Sequence, residues 1–149
     1  MIYSSLKFLH VVFAIVALGT NITFGFWLRW ARRDPDKYAF VLKGVKFLDD
    51  YVANPCYAGL GISGPLMVWM GGLGFGTKWV WMALSLFTLM VILGAGVYTP
   101  LLSRQIALLE ERGPEDLEFK AAAKKSAIFG PFLGLMVLAI VYLMVMKPT

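Results

Sequence analysis

The sequence has few of the side chains that catalytic and metal-binding sites most often use. Its 149 residues include one cysteine, Cys56, and one histidine, His10. A single cysteine excludes an internal disulfide framework and a thiolate metal cluster within one chain. All nine acidic residues lie within residues 34–50 and 110–118, outside the long uncharged stretches. This argues against a transporter that is driven by intramembrane carboxylates.

Sequence motifs that are typical of soluble enzymes are also missing. There is no Gly-rich nucleotide loop, nucleophile elbow or zincin helix. The net charge of +5 comes from basic residues in short segments beside apolar stretches, not from one basic face. This pattern favours anionic lipid headgroups as partners and argues against nucleic acid.

Apolar residues dominate the composition. Of the residues, 59% are hydrophobic and 15% are charged. A bilayer core about 30 Å thick requires roughly 20 apolar residues of helix. Four stretches are long enough, and they predict spans at about residues 5–30, 52–76, 79–104 and 126–146. The sequence therefore predicts an all-α fold, a four-transmembrane-helix bundle forming a single domain over residues 1–149.

Lys and Arg predict the orientation of these spans. The connection after span 1 carries six of them, the connection after span 3 carries five, and the hairpin between spans 2 and 3 carries only Lys78. Basic residues concentrate on the cytoplasmic side of membrane proteins. We therefore expect both chain ends on the outer side, in a bacterial inner membrane, with anionic headgroups at the cytoplasmic face.

The first connection predicts a short cytoplasmic interfacial helix between spans 1 and 2. Asp34-Pro35 is typical of an N-cap followed by a first-turn proline. An apolar face then recurs at helical spacing and includes Leu42 and Val45, and we place Lys43, Asp49 and other charged residues opposite it. Asn54-Pro55 predicts a break or kink where span 2 begins. Pro114, Glu115 and Asp116 are expected to open the last helix.

His10 is the main candidate for a functional residue. An ionisable side chain inside a membrane span is a functional candidate by default. At 100° per residue it shares a helical face with Ala14, Ala17 and Asn21, which predicts a pocket in the bundle. Lys7, three residues earlier, could bind a ligand carboxylate or extend to the headgroups. The alternative is a histidine that is hydrogen-bonded for structural reasons only.

Methionines at a similar depth offer possible partners for His10. The candidates are Met67 and Met70 near the outer end of span 2, Met82 at the start of span 3, and Met144 and Met146 at the end of span 4. An imidazole combined with thioethers suits haem iron or Cu(I). Methionine is also a common core residue, so both interpretations stay open.

The run Leu6-Lys7-Phe8-Leu9-His10-Val11-Val12 resembles the first helix of a superfamily of small four-helix membrane proteins. This superfamily includes the copper-resistance D-type proteins, the four-helix bacterial protoporphyrinogen oxidases and a family of predicted integral membrane proteins of unknown function, which the chain resembles best. Further similar residues are Asp49, Asp50 and Pro55, Ser63-Gly64, Trp79-Val80-Trp81 and Pro100 to Arg104. The resemblance implies that His10 is a candidate haem ligand with Lys7 beside it.

Two hypotheses follow from the sequence. The first is a membrane protein that binds haem, or copper as a second choice, through His10 as the metal ligand, with Lys7, Asn21, Met70 and Met82 near the cofactor. The second is an accessory subunit without a cofactor, whose Gly-rich faces pack against a homodimer partner or another membrane subunit. The residues identify no reaction.

Overall fold

The computed structural model describes residues 1–148, and these residues form helices and short connections. The helices are α1 (Ile2–Ala31), α2 (Pro35–Leu48), α3 (Asn54–Met70), α4 (Lys78–Leu93), α5 (Thr99–Arg112) and α6 (Leu117–Met146). Two π-helical turns, Asp49–Ala53 and Gly94–Tyr98, join α2 to α3 and α4 to α5. Residues 35–70 and 78–112 are therefore two continuous rods, and together with α1 and α6 they make a four-helix bundle.

The helices alternate in direction along the bundle. α1 packs mainly against α3, and α4 packs mainly against α6. Near one end, which we call the terminal end, Lys147 lies over the ring of Trp79, 5.7 Å from its centroid. At the other end, which we call the basic end, Arg32 donates a hydrogen bond to the Ala123 carbonyl over 3.2 Å. These contacts place the start of α1 and the end of α6 at the same end.

The outer surface of the bundle is apolar, as a bilayer requires. Large side chains such as Ile15, Phe26 and Leu135 are exposed. Three helices are long and apolar enough to cross a membrane: Ile2–Ala31, Lys78–Arg112 and Leu117–Met146. The fourth, α3, has 17 residues, which is about 25 Å of helix. It ends at Met70 and not near residue 76, since a glycine-rich turn follows, in which Gly72 has a φ of +67°.

Each π turn ends one residue before an X-Pro pair. Asn54-Pro55 follows the first turn and Thr99-Pro100 follows the second. Proline has no N–H to donate, and its ring crowds the carbonyl four residues earlier. A π turn shifts the hydrogen-bond register at that point, so the helix continues through the proline. Of the predicted break or kink at Asn54, the break is wrong, because this residue is helical, with φ −61° and ψ −44°; the kink stays a prediction.

α2 carries the predicted apolar face but continues directly into α3. Tyr38, Leu42 and Val45 are buried against the bundle, and Lys43 is exposed. The placement of Asp49 on the polar face is wrong, because only 6% of this residue is exposed. Since α2 does not stop before the span, the helical stripe that buries Leu42 and Val45 also turns Asp49 into the bundle.

A buried hydrogen-bonded network joins α2, α5 and α6 at the basic end. Gln105 is fully buried, donates to the Tyr38 hydroxyl over 2.8 Å and accepts from the Ser126 hydroxyl over 3.0 Å. α6 begins at Leu117, later than predicted, because the Asp116 carboxylate caps its first backbone N–H groups. These contacts fix the two rods relative to α6.

Candidate functional site

His10 faces a cavity in the half of the bundle nearer the terminal end. This His10 cavity has a volume of about 280 Å³, and α1, α3, α4 and α6 all contribute to its wall. Among the described residues that line it, His10 and Tyr57 alone carry nitrogen or oxygen in their side chains. The cavity therefore offers an apolar ligand one imidazole and one phenol.

A hydrogen-bonded chain holds the His10 ring. The Ser63 hydroxyl donates to the Gly59 carbonyl over 2.6 Å, and His10 Nδ1 lies 2.7 Å from the same Ser63 oxygen. A hydroxyl has a single proton, so while Ser63 donates it to the Gly59 carbonyl its oxygen can accept from Nδ1–H, which would leave a lone pair on Nε2.

Nε2 remains free for a ligand. It has no hydrogen bond to the described residues, and its surface is not fully covered. Histidines that bind metals commonly donate their other ring N–H to a protein acceptor, which fixes the ring orientation. His10 has this arrangement.

Glycines on α3 allow the close approach of α1. A Cβ atom on Gly59 would lie 2.6 Å from the Phe13 ring, and one on Gly64 would lie 3.5 Å from His10 Cε1. A Cβ atom on Gly61 would lie 3.3 Å from Phe87 of α4. The glycine-rich face of α3 is thus occupied by side chains of the same chain.

The structure gathers some of the predicted site residues and separates others. Lys7 is exposed, and Asn21 is part of an adjoining cavity. Met70 and Met82 are 40% and 46% exposed and do not line the His10 cavity. The methionines that do line it are Met90 and Met144. Among the described residues, no group of three or more His, Cys, Asp or Glu side chains could hold a metal ion.

A second cavity adjoins the first toward the basic end. This Asp49 cavity has a volume of about 320 Å³. Tyr57, Gly61, Phe87 and Met90 line both cavities. Where the two meet, Asn21 donates from its side-chain amide to the Tyr57 hydroxyl and to the Ala17 carbonyl.

Asp49 is the residue that sequence reasoning missed. It lines the second cavity, and its Oδ2 accepts a hydrogen bond from the Thr99 hydroxyl over 2.7 Å. Asn54 lines the same cavity. The signal was present in the sequence, because Asp49 extends the buried 38-42-45 spacing by four residues. It was overlooked because the residue lies in a charged connection.

Long apolar helices around an imidazole-bearing cavity define an α-helical integral membrane protein with a candidate ligand site inside the bundle. The chain belongs to the family described as predicted integral membrane protein (DUF2269), whose model matches residues 4–148. Comparisons with curated proteins and with solved structures gave no match.

Proposed function

We propose that this protein binds haem in the His10 cavity, with His10 Nε2 as an axial iron ligand, and has a redox role in the membrane. The observation that carries the proposal is the chain from Nδ1 through Ser63 to the Gly59 carbonyl. It orients the imidazole of a histidine that lines an apolar cavity, as a metal-ligating histidine requires. The resemblance of the first helix to four-helix porphyrin and copper proteins implies the same role for His10.

Apart from His10 and Tyr57, the side chains that line the His10 cavity are apolar. The cavity is about 280 Å³, just below the range of roughly 300–1,000 Å³ typical of enclosed ligand sites. A macrocycle would therefore extend between the helices toward lipid. Bound haem would supply one-electron redox chemistry. The chain would supply the axial imidazole, two candidate thioethers and the exclusion of water.

Copper is the second candidate, and it is favoured by the same two methionines. Met90 and Met144 line the cavity with His10. Cu(I) prefers soft thioether ligands with imidazole, and it needs neither a carboxylate nor a macrocycle. The accessory-subunit hypothesis remains the alternative: Gly59, Gly61 and Gly64 contact side chains of their own chain, whereas Gly94 and Gly134 have open space beside them.

We also propose the orientation that the sequence predicts, with the chain ends outside and the basic end in the cytoplasm of a bacterial cell. The terminal end has Lys7, Lys78 and Lys147, whereas eleven Lys and Arg residues occupy the first and third connections. That asymmetry follows the positive-inside rule. Anionic headgroups are then the lipid partners at the basic end.

The test is the absorption spectrum and metal content of protein produced with ample haem and copper. We expect a Soret band in the wild type and its loss in His10→Ala, with the helical circular dichroism unchanged. Leu9→Ala is the matched control, because Leu9 is an exposed neighbour on the same helix that does not line the His10 cavity, and it should keep the band. A wild-type preparation that contains neither haem nor copper would overturn the proposal.

A further inference from the structure

We propose that the Asp49 cavity binds a substituted ammonium ion, with the Asp49 carboxylate as its counter-ion. This is a second ligand site, and it does not depend on haem binding in the His10 cavity. The ligand class is an organic monocation that carries an apolar group. Three features of the cavity support it: a buried negative charge without a cationic partner, an apolar wall with aromatic rings, and an opening between small residues.

The charge of Asp49 has no cationic partner among the described residues that line its cavity. Only 6% of Asp49 is exposed, and no Lys, Arg or His side chain contributes to this wall. Lys46, three residues earlier on the same rod, is paired with Asp50. That pair is neutral as a whole, so the negative charge of Asp49 is left over. A buried carboxylate without a counter-ion is costly, and a cationic ligand removes this cost.

The Asp49 carboxylate is oriented by uncharged neighbours and keeps the capacity to bind a ligand. Its Oδ2 accepts a hydrogen bond from the Thr99 hydroxyl over 2.7 Å, and Asn54 lies beside the carboxyl group in the same wall. An ionised carboxyl group has about four acceptor positions. Thr99 and Asn54 leave part of this capacity unused, and neither of them cancels the charge.

The rest of the cavity wall suits an organic cation better than a divalent metal ion. The volume of about 320 Å³ lies at the lower end of the range of roughly 300–1,000 Å³ for small-molecule sites. The aromatic side chains of Tyr57, Phe87 and Tyr98 line the cavity. Aromatic rings attract cations and commonly take part in the recognition of substituted ammonium groups. A divalent metal ion requires several oxygen ligands, and this wall offers a single carboxylate.

Small residues mark the place where a ligand can enter the Asp49 cavity. Ala58 of α3 and Ala95 of the second π turn line the cavity and are themselves exposed, so the cavity reaches the bundle surface between the two rods. Gly94, next to Ala95, also lines it, and a Cβ atom there would have nothing within 4 Å. A ligand therefore has an entrance that small side chains leave open.

Equilibrium dialysis of radiolabelled benzyltrimethylammonium against the full chain in phosphatidylcholine nanodiscs tests the proposal. Phosphatidylcholine carries no net charge, and empty nanodiscs provide the background. We expect saturable binding to the wild type, weakened at least about 30-fold in Asp49→Asn, because the substitution removes one partner of a buried charge pair. Asp36→Asn is the matched control. It removes an exposed carboxylate of the same rod that does not line the cavity, and it should keep the affinity.

Gly94→Leu tests the place of binding, because its side chain fills the cavity while Asp49 keeps its charge. Gly96→Leu is the control, since Gly96 belongs to the same π turn but does not line this cavity. Nothing lies within 4 Å of a Cβ atom at either glycine. We expect Gly94→Leu to lose the binding and Gly96→Leu to retain it.

Three results would overturn the proposal. The first is a wild type that binds no more probe than empty nanodiscs do. The second is wild-type affinity in Asp49→Asn or in Gly94→Leu. The third is displacement of the probe by an equal concentration of Na⁺, which would make the cavity a site for an inorganic cation.

Discussion

The Thr99 hydroxyl donates a hydrogen bond to Asp49 Oδ2 over 2.7 Å and thereby connects the two rods of the bundle at their π turns. Thr99 is also the residue that precedes Pro100, just as Asn54 precedes Pro55. The prolines thus shape the helices so that polar side chains from two rods meet in one cavity. The π turn before each proline therefore keeps the helix continuous and also places polar side chains in the interior of the bundle.

Ser63→Ala should weaken haem binding while the bundle stays folded. The substitution removes the acceptor that holds His10 Nδ1–H, so the imidazole loses its fixed tautomer and orientation. Loss of such a supporting group costs about 10–100-fold in affinity. Haem titration followed at the Soret band measures the change. Ser85→Ala, at an exposed serine of α4, is the control, and equal affinities for the two variants would contradict the role assigned to Ser63.

Gly59→Ala should destabilise the contact between α1 and α3. The new Cβ atom would lie 2.6 Å from the Phe13 ring, and overpacking of this kind costs about 1–3 kcal/mol. Thermal unfolding in detergent, followed by circular dichroism, provides the measurement. Gly19→Ala is the control, because nothing lies within 4 Å of a Cβ atom there.

Phe13→Leu combined with Gly59→Ala tests the origin of this effect. The smaller, more flexible leucine leaves room for the new methyl group, so the double variant should lose less stability than the sum of the two single variants. Strictly additive losses would show that the Phe13 ring is not the group that clashes.

The sequence predicted the helices better than the contacts between them. Uncharged stretches of sufficient length identify membrane helices because the bilayer imposes its thickness on each one separately. Met82 and Met90 lie eight residues apart on α4, about 12 Å in depth, so the choice of Met82 rested on the depth assigned to His10 as well as on the unknown rotation of α4 toward its neighbours. Asp49 was misplaced for a different reason: it continues the buried spacing of Tyr38, Leu42 and Val45, but its place in a charged connection led to its assignment to the polar face.

Substitution of the cavity methionines should alter the spectrum of bound haem, whereas substitution of the exposed ones should not. Met90 and Met144 line the His10 cavity, and Met70 and Met82 do not. We expect Met90→Leu combined with Met144→Leu to change the spectrum, because either thioether is a candidate iron ligand in the proposed haem site. Met70→Leu combined with Met82→Leu is the matched control. If only the Met70→Leu and Met82→Leu control changed the spectrum, the thioether ligands would lie outside the His10 cavity.

The orientation of the bundle can be tested with a membrane-impermeant maleimide on intact cells. Cys56 is half-buried in α3, so Cys56→Ala provides the background. In that background Gly76→Cys, in the exposed turn before α4, should be labelled from outside, and Lys43→Cys, on the exposed face of α2, should be labelled only after the membrane is opened. Loss of Lys43 leaves ten basic residues in the first and third connections, so the charge asymmetry that sets the orientation persists. If only Lys43→Cys were labelled in intact cells, the bundle would have the opposite orientation, with Asp49 toward the outer aqueous phase.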